Sequence, residues 1–103
     1  MNPELVKQEM HAALHEVYDP ETGLNLVDLG LIYEVDWQQE SGEATVTMTF
    51  TTPACPAGDV MTEGVRRRMS MIPGVQEVLV DVTFEPPWTP DRITEEGKRQ
   101  LGW

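Results

Sequence analysis

The sequence predicts a mixed α/β (α+β) fold, namely a two-layer sandwich in which helices cover one face of a small sheet. Three observations support this prediction. Apolar residues alternate with threonine over residues 44–50, which is typical of a strand with one buried face. Apolar residues recur at helical spacing before and after that strand. Turns that contain proline or glycine separate these segments, so the predicted order is α-β-β-α-β-α.

Each element follows from its local pattern. Asn2 can cap the first helix, and Pro3 fits its first helical position. Thr89 or Asp91 is expected to cap the last helix. In chain order we expect a helix over 3–17, an irregular segment over 24–30, strands over 31–38 and 44–50 joined by a turn at Ser41-Gly42, a helix over 59–71, a strand over 75–84, and a final helix that ends near Leu101.

The alternation in the second strand also predicts which side chains are buried. The side chains expected to point inward are Ala44, Val46, Met48 and Phe50, and those expected to point outward are Thr45, Thr47 and Thr49. The outward face would contact water or a partner.

Size and charge restrict the classes of function. With 103 residues, the chain is expected to form one domain that spans 1–103. Its 18 acidic and 7 basic side chains give a formal net charge of −11, which disfavours binding to nucleic acids. Arg66, Arg67 and Arg68 would fan out around a helix axis, so we expect them to be solvated or paired with acidic side chains, and the alternative is a patch that docks a partner.

Cysteine usage and hydropathy predict the compartment. One cysteine excludes an internal disulfide, and a lone free thiol fits a reducing cytosol. The first residues have neither the basic nor the apolar region of a signal peptide, and no apolar run approaches the ~20 residues that span a bilayer. We therefore expect a cytoplasmic protein without a membrane partner.

Cys55 is the residue with the clearest chemical potential. It lies between a predicted strand and a predicted helix, and prolines on either side restrict its backbone. A thiol at a helix N-terminus faces backbone N–H groups and the positive end of the helix dipole, which stabilise the thiolate that attacks electrophiles and binds metals. The alternative is a small buried side chain, since free cysteine is often buried. The residues alone leave both interpretations open.

Five polar residues are candidates for a supporting role. Asp19 and Glu21 can serve as proton acceptors or oxygen ligands near the thiol, or can cap backbone groups in a turn. Thr51 and Thr52 can donate hydrogen bonds to a thiolate or to a metal–sulfur cluster, or can be ordinary strand-end residues. Asp59 favours the helix dipole, but a carboxylate close to the thiol would oppose thiolate formation.

Other candidate sites have competing interpretations. His11 and His15 can bind a metal if a third ligand comes from elsewhere, although surface helices often carry such residues. Trp88 lies between prolines and either packs over the sheet edge or gives a partner an anchor. One cysteine cannot supply the four thiolates that an iron–sulfur cluster usually takes, so a cluster bound stably by the monomer is not expected.

Five short motifs occur in order along nearly the whole chain. They are Asp19-Pro20-Glu21, the segment 25–33 (NLVDLGLIY), the segment 51–56 (TTPACP), Pro73-Gly74-Val75, and the segment 86–90 (PPWTP). Together they resemble the SufT/PaaD-like family of iron–sulfur (metal–sulfur) cluster assembly factors, in a minimal single-domain form. The resemblance implies a two-layer fold similar to the C-terminal domain of NifU-type proteins and a non-enzymatic role in metalloprotein maturation.

The resemblance also implies that Cys55 is the functional thiol, with Asp19, Glu21, Thr51 and Thr52 as its companions in one surface site. We therefore predict an assembly or transfer factor in which Cys55 is a transient cluster ligand or sulfur acceptor. Its partners would be client apo-metalloproteins and assembly scaffold proteins, and a homodimer is an open possibility. One alternative is a pure interaction adaptor without a cluster, for instance for a phenylacetate-degradation oxygenase. Another is a thiol-dependent enzyme or redox sensor, which would need a base near the thiol.

Overall fold

A computed structural model describes residues 2–52 and 56–103 of the chain. Its helices and strands have the predicted order. They are α1 (Pro3–Leu14), β1 (Ile32–Gln38), β2 (Glu43–Met48), α2 (Gly58–Ser70), β3 (Glu77–Val82), a short 3₁₀ helix (Pro90–Arg92) and α3 (Glu95–Leu101). Within these described residues, no helix has both the length and the apolar character needed to cross a membrane.

The three strands form one mixed sheet with β2 in the centre. β1 pairs with β2 in antiparallel orientation, and β3 pairs with β2 in parallel orientation. Val46 of β2 lies opposite Val35 on one side and Val80 on the other. A parallel neighbour requires a crossover connection, and α2 supplies it between β2 and β3.

The core lies between this sheet and the first two helices. α1 packs on β1, α2 packs on β3, and the two helices contact each other. The fully buried apolar side chains of these elements include Met10, Leu14, Val46, Met48, Met61, Val65 and Met69. Burying each such side chain contributes about 1.5–3 kcal/mol. The helices therefore cover one face of a small sheet, which confirms the predicted α+β sandwich.

The first helix is shorter than predicted. Asn2 caps it through a 2.9 Å hydrogen bond from the Glu4 N–H group, as expected, but the helix ends at Leu14 rather than at residue 17. Val17 lies beyond the helix but is still buried, and its carbonyl accepts a 2.9 Å hydrogen bond from the Leu26 N–H group. The Val17 carbonyl therefore bonds to the irregular segment over 24–30 instead of to a further turn of the helix.

The predicted alternation in β2 holds only as far as Met48. Thr49 was expected to point outward, but it is fully buried, and its N–H group donates a 2.9 Å hydrogen bond to the carbonyl of Leu31. Phe50 is half-buried. The ladder with β1 ends at the Ile32–Met48 pair beside a register shift, and Thr49 and Phe50 lie beyond this last pair, where the period of two no longer holds.

The last helix begins after neither of the residues predicted to cap it. Thr94 is its cap and accepts a 3.0 Å hydrogen bond from the Gly97 N–H group. Thr89 instead precedes the 3₁₀ helix without a side-chain cap, and Asp91 lies inside that helix. The segment before α3 lies close to Gly30, whose φ of +82° and lack of a Cβ allow the backbone carbonyl of Arg92 to approach.

Candidate functional site

The connection between β2 and α2 contains the predicted site. Its two ends meet, because a Cβ on Gly58 would lie only 2.8 Å from Cε2 of Phe50. A glycine at the start of α2 therefore allows the Phe50 ring to pack directly on the helix backbone. Cys55, the residue on which the functional prediction depends, lies in this connection but outside the described residues.

The first turn of α2 follows Cys55 closely in sequence. Ala57 occupies the N-cap position and makes no side-chain capping bond, and its carbonyl accepts a 3.0 Å hydrogen bond from the Met61 N–H group. The N–H groups in the first turn of any α-helix have no acceptor within the helix, and the helix dipole adds partial positive charge there. Asp59 lies exposed in that turn and counteracts part of this positive potential.

An aromatic pair lies beside the same connection. The rings of Phe50 and Phe84 have centroids 6.1 Å apart and meet edge to face at 65°. Phe84 follows β3 and is 40% exposed. Since β2 and β3 are parallel, both rings come from the same end of the sheet as the start of α2. The pair therefore places two apolar rings beside the start of α2.

The threonines of the predicted site also belong to this connection. Thr51 is half-buried and Thr52 is exposed. They precede Cys55 in sequence, whereas Asp59 follows it. The β2–α2 connection and the first turn of α2 thus contain four of the residues predicted for the site.

Asp19 and Glu21 lie in a separate turn. Asp19 is buried, with 2% of its surface exposed, and its Oδ1 accepts a 2.8 Å hydrogen bond from the Glu21 N–H group. The side chain of Asp19 thus caps backbone in the turn, which is the structural alternative given above. Glu21 is exposed. The neighbouring Tyr18 lines a surface groove together with Val60 of α2, so this turn lies alongside the start of that helix.

Trp88 packs against the protein. Its indole Nε1 donates a 2.8 Å hydrogen bond to the carbonyl of Leu29, and the half-buried ring contacts the core. The proline-rich segment around it is also held at Pro86, whose carbonyl accepts a 2.6 Å hydrogen bond from the Tyr33 hydroxyl. The arrangement corresponds to the packing alternative for Trp88, and its role as a partner anchor stays a prediction.

Sequence reasoning missed a buried polar network formed by Asn25, Asp28 and Thr94. The Asp28 carboxylate accepts a 2.7 Å hydrogen bond from the Asn25 amide and a 2.8 Å hydrogen bond from the Thr94 hydroxyl. Burial alone would raise the pKa of Asp28, but these two hydrogen bonds and the charge of His15 lower it overall. The signal in the sequence was the presence of two polar residues within the apolar segment 24–30.

The two histidines of α1 lie together as predicted. Their rings are 5.5 Å apart, and Nδ1 of His15 lies 3.1 Å from the carbonyl oxygen of His11. Residues 2–52 and 56–103 contain no group of three or more histidine, cysteine or carboxylate side chains that could hold a metal ion. The described side chains therefore provide no third ligand for this pair.

The fold and motif order together define a family. The model of the iron–sulfur cluster assembly protein family matches residues 7–80, and the chain therefore belongs to that family. This finding confirms the resemblance to the SufT/PaaD-like factors that the five motifs indicated.

Particular relatives cover nearly the whole chain. An Fe-S protein maturation auxiliary factor of Porphyromonas gingivalis is 46% identical over 100% of this chain and 99% of its own length. The factor SufT of Staphylococcus aureus is 40% identical over 84% of this chain and 97% of its own length. The crystal structure of a DUF59 domain of unknown function from Bacillus anthracis matches with a TM-score of 0.91 and 36% identity, and covers 97% of this chain and 94% of that one.

Proposed function

We propose that this protein is a cytoplasmic, non-enzymatic factor of iron–sulfur protein maturation that holds a cluster or its sulfur transiently at Cys55. The observation that carries the proposal is the position of the chain's one cysteine in the connection that leads into α2, in a member of the iron–sulfur cluster assembly family. The relatives named as maturation auxiliary factors support the same role for this chain.

The start of α2 supplies the electrostatic part of the mechanism. Its first turn provides N–H groups and partial positive charge, which favour a thiolate over a thiol in the preceding residues. Ala57 brings no competing side-chain acceptor to these N–H groups. The contact between Phe50 and Gly58 holds together the two ends of the connection in which Cys55 lies by sequence.

The protein supplies too few ligands to hold an iron–sulfur cluster permanently. An iron–sulfur cluster usually requires four protein ligands, and the chain offers one thiolate. The remaining positions would be filled by a partner protein, a second copy or small thiols. A cluster held in this way passes readily to a client with more cysteines, because each incoming thiolate replaces a weak ligand. The protein therefore acts as a carrier between assembly scaffolds and client apo-proteins.

Anaerobic reconstitution with iron and sulfide tests the proposal. We expect the wild-type protein to develop the visible absorption of a cluster, to lose it to a chelator and to transfer it to an apo-ferredoxin. The Cys55→Ser variant replaces sulfur by oxygen with little change in size, and it should neither retain nor transfer the cluster. Native mass spectrometry gives the number of protein chains for each cluster.

The matched control is Met71→Leu, which removes a sulfur atom from a side chain that is 68% exposed without removing a thiolate. This variant should behave like the wild type. Full cluster transfer by Cys55→Ser would contradict the role of the thiol. The absence of a cluster in both the wild type and Cys55→Ser would favour the adaptor alternative.

A further inference from the structure

The face of the sheet opposite the helices is not covered by any helix in the described part of the chain. The strand register places nine outward-facing positions on it in three cross-strand rows. The rows are Gln38–Glu43–Glu77, Asp36–Thr45–Leu79 and Glu34–Thr47–Asp81. We call these nine residues the open face. The neighbouring positions along each strand, such as Val46 and Trp37, are buried under the helices, which confirms the alternation.

The open face combines one exposed apolar residue with acidic side chains. Leu79 on the edge strand β3 is 50% exposed, and Thr45 and Thr47 on the central strand β2 are half-buried. The other positions carry five carboxylates and one amide, and none of the nine carries a basic residue.

Two carboxylates of the open face directly oppose each other. Glu43 and Glu77 are register partners on adjacent strands, and like charges in that position destabilise a sheet. A cation between them would remove this repulsion. One acid of the open face is already paired with a cation within the protein. At the β1 edge, Lys7 of α1 places its Nζ 3.3 Å from Oδ1 of Asp36.

We infer that the open face binds a basic protein surface, with lysine or arginine side chains placed around an apolar residue that contacts Leu79. The partner would be a client or an assembly protein, and this role rests on the proposed function. Charge complementarity selects this occupant, because two copies of the open face would bring ten carboxylates together. Binding here requires neither a cluster nor Cys55.

A designed peptide tests the surface directly. The probe is a fluorescein-labelled strand-forming peptide with lysines on one face around a central leucine, and the reference peptide carries glutamate in place of lysine. We expect the lysine peptide to bind, the glutamate peptide not to bind, and the affinity to fall as salt rises. Combining Glu43→Gln, Glu77→Gln and Asp81→Asn should weaken binding roughly tenfold.

The matched control combines Glu9→Gln, Asp91→Asn and Glu95→Gln, which remove the same number of charges from exposed positions outside the sheet. The control should bind like the wild type, and amide chemical shifts should move on β1, β2 and β3. Equal weakening in both triple variants, shifts confined to the helices, or a dimer that buries the open face would overturn the inference. Cys55→Ser should bind the peptide normally, so a failure of the cluster chemistry and a failure of this surface are distinguishable.

Discussion

Asp28 shows how one side chain can join distant parts of the fold. Its carboxylate receives hydrogen bonds from Asn25 and from Thr94, and its backbone carbonyl accepts a 2.9 Å hydrogen bond from the Thr94 N–H group. Thr94 in turn caps α3. The stability of the last helix is therefore coupled to the ionisation of a residue in the segment 24–30.

The pH dependence follows from the lowered pKa of Asp28. The carboxylate is stabilised in the folded state, so its contribution is present above the ordinary pKa of 3.8 and is lost as pH falls through the lower folded value. We expect Asp28→Asn to lower the free energy of unfolding by about 1–3 kcal/mol at neutral pH, because the new amide opposes the Asn25 amide. The loss should shrink towards pH 3, as measured by urea unfolding.

Asp91→Asn is the control for this prediction, since Asp91 is exposed and lies in the 3₁₀ helix that precedes Thr94. Its unfolding free energy should match that of the wild type at each pH. An Asp28→Asn variant with unchanged stability at neutral pH would show that the hydrogen bonds contribute no net stabilisation.

At the scale of the elements, the junction of β2 with α2 depends on the contact between Phe50 and Gly58. We expect Gly58→Ala to lower the free energy of unfolding by about 1–3 kcal/mol, because the added methyl group overlaps the ring. Combined with Phe50→Leu, the same change should cost less than the sum of the two single changes. Urea unfolding of the four proteins measures this coupling.

Gly64→Ala provides the control within the same helix. A Cβ there would meet one methyl group of Val17 at 3.1 Å, which can shift, and alanine favours a helix over glycine by about 1 kcal/mol. We expect a small effect of either sign for this variant. Additive effects of Gly58→Ala and Phe50→Leu would rule out a direct contact between the two positions.

The elements also show what could be predicted from the sequence. The cap at Asn2 and the alternation through Met48 depend on neighbouring residues, and both predictions are confirmed. The burial of Thr49 and the cap at Thr94 depend on partners far along the chain. The Thr94–Asp28 bond joins positions 66 residues apart, so no local pattern could indicate it. The placement of Cys55 by sequence, between β2 and α2, required only local information.

At the scale of the whole molecule, the charge of −11 acts against folding. Ion pairs such as Arg68–Glu16, 2.9 Å apart, and Arg67–Glu63, 3.7 Å apart, confirm that the arginines pair with acids, but they neutralise few of the carboxylates. The surplus negative charge repels itself more strongly in the folded state, where the side chains lie closer together.

Added salt should therefore stabilise the protein. We expect the free energy of unfolding in urea to rise by on the order of 1 kcal/mol between about 0.01 M and 0.5 M sodium chloride, because screening weakens the repulsion. Screening of the exposed ion pairs acts in the opposite direction but is smaller. The control triple variant described above carries three fewer negative charges and should gain less from salt. A stability that falls with salt would show that the ion pairs dominate.

The open face also determines how quickly a partner arrives. Carboxylates at the rim of an interface act over a distance and mainly change the rate of association, whereas central contacts mainly change the rate of dissociation. For a basic partner, the five carboxylates would govern encounter, and Leu79 would govern how long the two proteins stay together. Different residues of the same sheet would thus set the association rate and the dissociation rate of the complex. Ionic strength would change the association rate and leave the dissociation rate unchanged.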